Sequence, residues 1–151
     1  MFVHFINRRN LLVGAASFAV SMPALATNYP AVAAYRNPGC GCCEKWAERL
    51  KLAGFTVTME DDPSLDERRA KLGVPADLAG CHSATMGDYV IEGHVPPEDI
   101  VRFLAEKPKA RGLAVPGMPL GSPGMESSEP AEAYEVFIFT ADGKSEVYAR
   151  H

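Results

Sequence analysis

The sequence lacks an apolar run long enough to cross a membrane. Its leading apolar stretch, Leu11–Val20, is shorter than the roughly 20 apolar residues that a spanning helix needs. Acidic residues are also missing from the first 26 positions, which carry Arg8-Arg9 and end in Pro23-Ala24-Leu25-Ala26, an A-x-A cleavage site. These features predict a secretory signal peptide over residues 1–26, and therefore a protein exported to the periplasm. Residues 7–12 resemble the twin-arginine export motif, but paired arginines also occur in ordinary leaders, so both export routes stay open.

Positive charge is scarce in the remainder of the chain. Residues 27–151 have a formal charge of −6, because the leader takes two of the 15 basic residues and none of the 19 acidic ones. This balance argues against a nucleic-acid or anionic-membrane partner and suits cations.

The sequence also lacks a Ser-His-Asp arrangement, a phosphate-binding glycine loop and paired catalytic carboxylates, so no classical hydrolase or transferase site is predicted. About 125 residues are the usual size of a single domain, which we predict for residues 27–151.

The spacing of apolar and turn residues predicts an α/β fold. We expect strands at 31–35, 55–59 and 89–91. We expect helices at 42–53, 62–72 and 96–104, the second of which starts at Asp62-Pro63. A hairpin of 136–140 and 145–149 is predicted around Asp142-Gly143. Residues 107–130 are rich in Pro, Gly and Ser and predict a long loop. A cysteine motif between the first strand and helix favours a thioredoxin-like α/β sandwich, with a mixed sheet and a C-terminal β-hairpin. In that fold a proline before the third strand lies against the cysteine site, and Pro116 is the candidate.

Four cysteines dominate the chemistry of the sequence, and three of them fall in Cys40-Gly41-Cys42-Cys43. In an oxidising compartment, four cysteines on base rates predict two structural disulfides. Cys40 and Cys43 also form a C-x-x-C motif at a helix start, which is typical of a redox dithiol. Cys42 does not fit either interpretation, because three thiols within four residues cannot all pair with one another.

Metal binding explains the extra thiol better. A structural zinc site usually draws on two spaced cysteine pairs. The neighbours Cys42 and Cys43 point in different directions, so several bridged soft ions are more plausible than one tetrahedral zinc. Copper(I) accepts soft sulfur ligands and low coordination numbers, and is the metal that we predict, although silver and mercury would also fit. Cys81-His82 adds a fourth thiol and an adjacent imidazole.

Methionine thioethers are further candidate copper ligands. Met118 and Met125 each end a Pro-Gly-Met tripeptide in the long loop, and Met118 is included in the predicted metal site with Cys40, Cys42, Cys43, Cys81 and His82. His94 and His151 are assigned no function: the first lies near a turn and the second is the last residue.

The motifs taken together resemble a known family. They are Asn37-Pro38-Gly39-Cys40-Gly41-Cys42-Cys43 with Trp46, Cys81-His82-Ser83-Ala84, the run from Tyr89 to Pro96, and the run from Gly112 to Pro119. In this order they resemble the CopG-type periplasmic copper-resistance proteins over nearly all of residues 27–151. The resemblance implies a thioredoxin-like fold in which Cys40, Cys42, Cys43 and Cys81 bridge a cluster of copper ions. It also implies a role in copper tolerance, with interconversion of copper between its two oxidation states as one way of fulfilling it.

Three functional hypotheses therefore remain. The leading one is a periplasmic copper(I)-binding protein whose partners are copper ions and other periplasmic copper-handling proteins. The second is a thiol-disulfide oxidoreductase that uses Cys40 and Cys43. The third is an inert domain stapled by disulfides, which predicts no free thiols and no metal uptake.

Overall fold

The computed structural model describes residues 28–151, so the leader predicted for residues 1–26 lies outside the described residues. The strands are β1 (Val32–Arg36), β2 (Val57–Asp61), β3 (His82–Met86), β4 (Tyr89–Glu92), β5 (Gly112–Ala114), β6 (Glu135–Phe139) and β7 (Ser145–Arg150). The helices are α1 (Gly41–Leu52), α2 (Leu65–Leu72) and α3 (Pro97–Glu106), with one 3-10 turn at Ala76–Leu78. Within this part of the chain, none of the helices has the length and apolar character needed to cross a membrane.

All seven strands form one mixed sheet in the order β2-β1-β3-β4-β5-β6-β7. The pairs β1–β2 and β4–β5 are parallel, and each is connected through a helix, α1 and α3 respectively. The other neighbouring strands are antiparallel. The α/β class, the mixed sheet and the C-terminal hairpin are therefore confirmed, whereas the thioredoxin-like classification stays a prediction.

Both faces of the sheet carry apolar side chains. Ile91 packs in the main core with Trp46 and Leu50 of α1 and Phe103 of α3, whereas its neighbour Val90 packs with a second cluster that includes Val74 and Leu78. Because successive strand residues point to opposite faces, α1 and α3 cover one face and the segment after α2 covers the other.

Several predicted boundaries differ from the observed ones. The second strand begins at Val57 rather than at residue 55. The second helix begins at Leu65, with Ser64 rather than Asp62 at the N-cap position. The carboxylate of Asp62 accepts a hydrogen bond from the Ser64 backbone N–H and pairs with Arg68. Pro116 was expected before a strand, but it follows β5.

Two strands were not predicted at all. β3 was missed because it begins with the buried polar residues His82 and Ser83, which do not give an alternating apolar pattern. β5 lies inside the segment predicted as a loop, and its Gly112 packs so closely on β4 that an added Cβ would lie 1.8 Å from the carbonyl oxygen of Val90.

Candidate metal centre

The topology brings the two cysteine segments together at one end of the sheet. Cys40 is the N-cap of α1, and Cys42 and Cys43 lie in its first turn. Cys81 immediately precedes β3, which is the antiparallel neighbour of β1, and Arg36 at the end of β1 is paired with His82. The end of β1, the start of α1 and the start of β3 therefore meet, although Cys43 and Cys81 are 38 positions apart in the sequence.

The sulfur atoms of the four cysteines form one compact group. The Sγ of Cys81 lies 3.2 Å from those of Cys40 and Cys42 and 3.4 Å from that of Cys43. The Cys40 and Cys42 sulfurs are 3.3 Å apart, and a disulfide joins Cys40 to Cys43. All four sulfurs lie within 4.8 Å of one another. A donor set made only of sulfur fits a soft metal ion, and the reduced form of this group offers four thiolates.

A second group of candidate ligands shares Cys81 with the first. The Cys81 sulfur and one ring nitrogen each of His82 and His94 lie within 4.8 Å of one another. His82 is completely buried, and the centroid of its ring lies 4.1 Å from that of the Trp46 ring and 5.2 Å from that of the His94 ring. Among the described residues, neither of its ring nitrogens has a hydrogen-bond partner. Buried polar atoms are seldom left without a partner, so these nitrogens fit a metal ligand.

The His94 ring is oriented by a single hydrogen bond. Its Nδ1 lies 2.7 Å from the carbonyl oxygen of Pro123. A carbonyl only accepts, so Nδ1 carries the proton and donates it, which leaves the lone pair on Nε2 free. Nε2 is buried and has no partner within residues 28–151. A donated Nδ1–H that fixes the tautomer and the ring orientation is typical of metal-ligating histidines.

Burial keeps both imidazoles in the neutral form that binds metals. It lowers the pKa of His82 well below the usual 6.5, and the nearby His94 and Arg69 lower it further. Burial also lowers the pKa of His94, although the bond to Pro123 and the charge of Glu126 partly oppose this effect. Both rings are therefore uncharged at neutral pH.

Cys81 has a perturbed thiol. Burial raises its pKa from the usual 9.0 to about 12, and the hydrogen bond to Cys42 and the charges of Cys42 and Glu92 act in the same direction. In the metal-free protein this thiol keeps its proton at neutral pH. A metal ion that binds the Cys81 sulfur must therefore displace a proton.

Behind Cys81 lies a buried ion pair that was not predicted. Glu92 of β4 is completely buried, and its Oε1 accepts hydrogen bonds from the Arg69 Nε at 2.6 Å and the Gly80 backbone N–H at 2.8 Å. Its Oε2 accepts from the Ser83 hydroxyl. Burial raises the pKa of Glu92, and the bonds from Ser83, Gly80 and Arg69 oppose this rise. The carboxylate is thus surrounded by donors, as a buried charge requires.

Residues 116–126, here called the strap, cross the first turn of α1. Gly117 forms a β-bridge with Gly80, and its N–H donates to the carbonyl of Ala79 at 3.0 Å. Gly124 packs on α1 so closely that an added Cβ would lie 2.7 Å from the Cys42 carbonyl oxygen and 2.8 Å from the Trp46 nitrogen. Near the end of the strap, Glu126 forms a salt bridge to Arg49. The strap is therefore attached both beside Cys81 and above Cys42.

The predicted ligands have different surroundings. Cys40, Cys42, Cys43, Cys81 and His82 lie together, as described above. Met118 follows Gly117 in the strap and is 54% exposed, unlike the enclosed imidazoles. Met125 follows Gly124 and is half-buried. His94, which was assigned no function, lies beside His82, whereas His151 pairs with Asp99 through its Nε2.

Comparison with known proteins is consistent with this geometry. Residues 78–125 match the sequence profile of a protein family described as "Protein of unknown function, DUF411". These residues include Cys81, Glu92, His94 and most of the strap. Two solved structures, forms 1 and 2 of a copper resistance protein CopG, each show 38% sequence identity and a TM-score of 0.77. Each match covers 82% of this chain and 98% of the other. The chain belongs to the CopG family.

Membership of the CopG family confirms the resemblance predicted from the cysteine, Cys-His and Val-Pro-Gly-Met-Pro motifs. Copper resistance is the property named for those two structures. Among proteins with curated functions, none shows a significant match to the chain.

Proposed function

We propose that this CopG-family chain is a periplasmic copper(I)-binding protein of copper tolerance, which holds copper in a multinuclear site bridged by cysteine thiolates. The observation that carries the proposal is the convergence of four cysteine sulfurs from two distant segments, each within 4.8 Å of the others. The name of the two related structures adds copper as the metal.

The position of Cys81 supports shared thiolates over one ion with four separate ligands. Its sulfur belongs to the group of four cysteines and also to a second group with His82 and His94, so its thiolate can bridge ions held by the two groups. Copper(I) is soft and suits the sulfur-only surroundings of the four cysteines. Loading requires that an external dithiol reduce the Cys40–Cys43 disulfide to two thiols; the dithiol supplies two electrons and two protons and is itself oxidised to a disulfide.

The imidazole side of the site supports interconversion of copper between its oxidation states. Cys81 belongs both to the sulfur group and to the group with His82 and His94. Sulfur ligands favour copper(I), whereas imidazole suits copper(II) as well. Adjacent ligand sets of both kinds would let the protein hold copper in either state. We also propose that residues 1–26 direct export, and that the exported protein exchanges copper with other periplasmic copper-handling proteins.

Copper loading of the mature chain tests the proposal. The reduced protein is titrated with copper(I) without oxygen, and bound copper is measured per chain by elemental analysis. We expect a ratio of two or more, and a lower ratio for Cys42→Ser, because Cys42 supplies one of the bridging sulfurs. Leu52→Ser, at an exposed position of α1 away from the candidate ligands, is the control, because it introduces the same residue and leaves every thiol in place. A wild-type ratio of one or less, or one that Cys42→Ser does not change, would contradict a multinuclear site.

A second candidate function rests on the Cys40–Cys43 disulfide at the start of α1. Free backbone N–H groups and the helix dipole at this position favour a thiolate, as in thiol-disulfide oxidoreductases. This function predicts that the metal-free reduced protein reduces insulin, and that the activity survives Cys42→Ser and Cys81→Ser. Absence of turnover would eliminate it.

A further inference from the structure

Cys81 reaches the other three cysteines from a separate segment, so contacts outside the cysteine group must fix its position. Its predecessor Gly80 is held from both sides: the Gly80 N–H donates to Glu92 at 2.8 Å, and the Gly80 carbonyl accepts from the Arg69 Nη2 at 3.0 Å. The first bond anchors the peptide before Gly80, and the second anchors the peptide that leads into Cys81. The two side chains also bind each other, so they act as one unit.

The surroundings leave this unit little freedom. Glu92 is completely buried, and the Arg69 side chain is 11% exposed. A Cβ added to Gly80 would lie 2.6 Å from the Gly93 Cα and 2.8 Å from the Val115 carbonyl oxygen, so the backbone is in close contact on its other side. The planar fork of an arginine donates to two acceptors in fixed directions, which suits it to bridge Glu92 and Gly80.

We propose that Glu92 and Arg69 are positioning residues for the metal site, which hold the Gly80 backbone so that the Cys81 sulfur lies against those of Cys40 and Cys42. The inference rests on the proposed copper function and assigns these residues no contact with the metal. Removal of such supporting partners typically lowers metal affinity by about 10–100-fold.

The test compares two neighbouring arginines of α2. Arg69→Lys keeps a positive charge opposite Glu92, but a single ammonium group cannot reproduce the fork. Arg68→Lys is the matched control, because Arg68 pairs with Asp62 and lies over the Tyr35 ring, with no bond to Gly80. In competition with a chromophoric copper(I) chelator, we expect Arg69→Lys to lose about 10–100-fold in affinity and Arg68→Lys to match the wild type. Equal affinities of the wild type and Arg69→Lys would overturn the proposal.

A double-mutant cycle separates positioning from a general effect on folding. If Arg69 acts through Cys81, Arg69→Lys has no further effect on copper affinity in a Cys81→Ser background. A further loss of the same size in that background would refute the positioning role.

A metal-free measurement keeps this inference distinct from the copper function. With the Cys40–Cys43 disulfide formed, Cys42 and Cys81 are the free thiols, and their sulfurs are 3.2 Å apart. Diamide oxidises this pair to a disulfide and is itself reduced to the hydrazine as it takes up two electrons and two protons. We expect slower Cys42–Cys81 pairing, followed by peptide mapping, in Arg69→Lys than in Arg68→Lys. Equal rates would contradict the positioning role, whether or not the protein binds copper.

Discussion

Gly124→Ala tests whether the strap is closed over the start of α1. Gly124 has a φ of +91°, and an added Cβ would lie 2.7 Å from the Cys42 carbonyl oxygen and 2.8 Å from the Trp46 nitrogen. Both neighbours are helix backbone, which cannot rotate away as a flexible side chain would. The substitution must therefore deform the strap or lift it from α1.

The expected cost has two parts. A left-handed backbone costs a residue with a Cβ roughly 1–2 kcal/mol, and overpacking of a close contact adds typically about 1–3 kcal/mol. Gly124→Ala should thus destabilise the protein by about 2–5 kcal/mol. Gly143→Ala is the matched control, because Gly143 has a φ of +82° in the terminal hairpin and nothing within 4 Å of its added Cβ. The control should lose only the first part, roughly 1–2 kcal/mol.

Urea unfolding of the metal-free protein measures these costs, and emission of Trp46, the single tryptophan of the chain, reports the transition. We also expect faster transfer of copper(I) from Gly124→Ala to a chelator, because the strap carries the Pro123 carbonyl that orients His94. Equal unfolding free energies and equal transfer rates for the two variants would refute the closed strap.

Four further predictions concern the candidate ligands. Copper loading should quench Trp46 emission, because the centroids of the His82 and Trp46 rings are 4.1 Å apart. His82→Ala should weaken this quenching in a fluorescence titration. His94→Ala should bind copper less tightly in chelator competition, whereas His151→Ala should bind it like the wild type. The folded protein holds the Cys81 proton more tightly than the unfolded chain, so its unfolding free energy should fall as the pH rises from 9.0 to about 12, and less so in Cys81→Ser. The lowered pKa of His82 has the opposite effect on the unfolding free energy. Its contribution is fully present above pH 6.5 and is lost as the pH drops below that value, because the unfolded chain binds the proton more tightly.

The sulfur side of the site could be predicted from sequence because its signals are local. Asn37-Pro38-Gly39 ends a strand, and the apolar spacing of Cys43, Trp46 and Leu50 predicts the helix that follows. Together these place three cysteines at a helix start, where the structure has them. Cys81 was assigned to the same site, but nothing near it in sequence specifies the strand pairing that brings it to the helix start.

His82 was predicted as a ligand, but His94 was missed as its neighbour because β3 was missed. Gly87-Asp88 is a two-residue turn signal, and a hairpin around it pairs Ser83 with Glu92, which brings His82 and His94 to the same end of the sheet. The polar start of β3 concealed that hairpin. Its polar residues are tolerated in the interior because Ser83 donates to Glu92, a partner that only the pairing of the strands supplies.

The strap and the ion pair depend on contacts that local sequence patterns do not encode. Gly124 looks like an ordinary loop glycine, and its need to be glycine becomes apparent only against the backbone of α1. Arg69 and Glu92 are 23 residues apart and lie on different elements. Arg69 was placed on a helix by its apolar neighbours, with no indication of its partner.

Elemental analysis of the protein, isolated without oxygen from the cells that make it, tests the central claim most directly. It reports the identity and the amount of bound metal together. The proposed site predicts copper at two or more ions per chain, and a lower copper content for Cys42→Ser purified in parallel. Zinc at one ion per chain, or a protein without metal whose thiols are all oxidised, would contradict it.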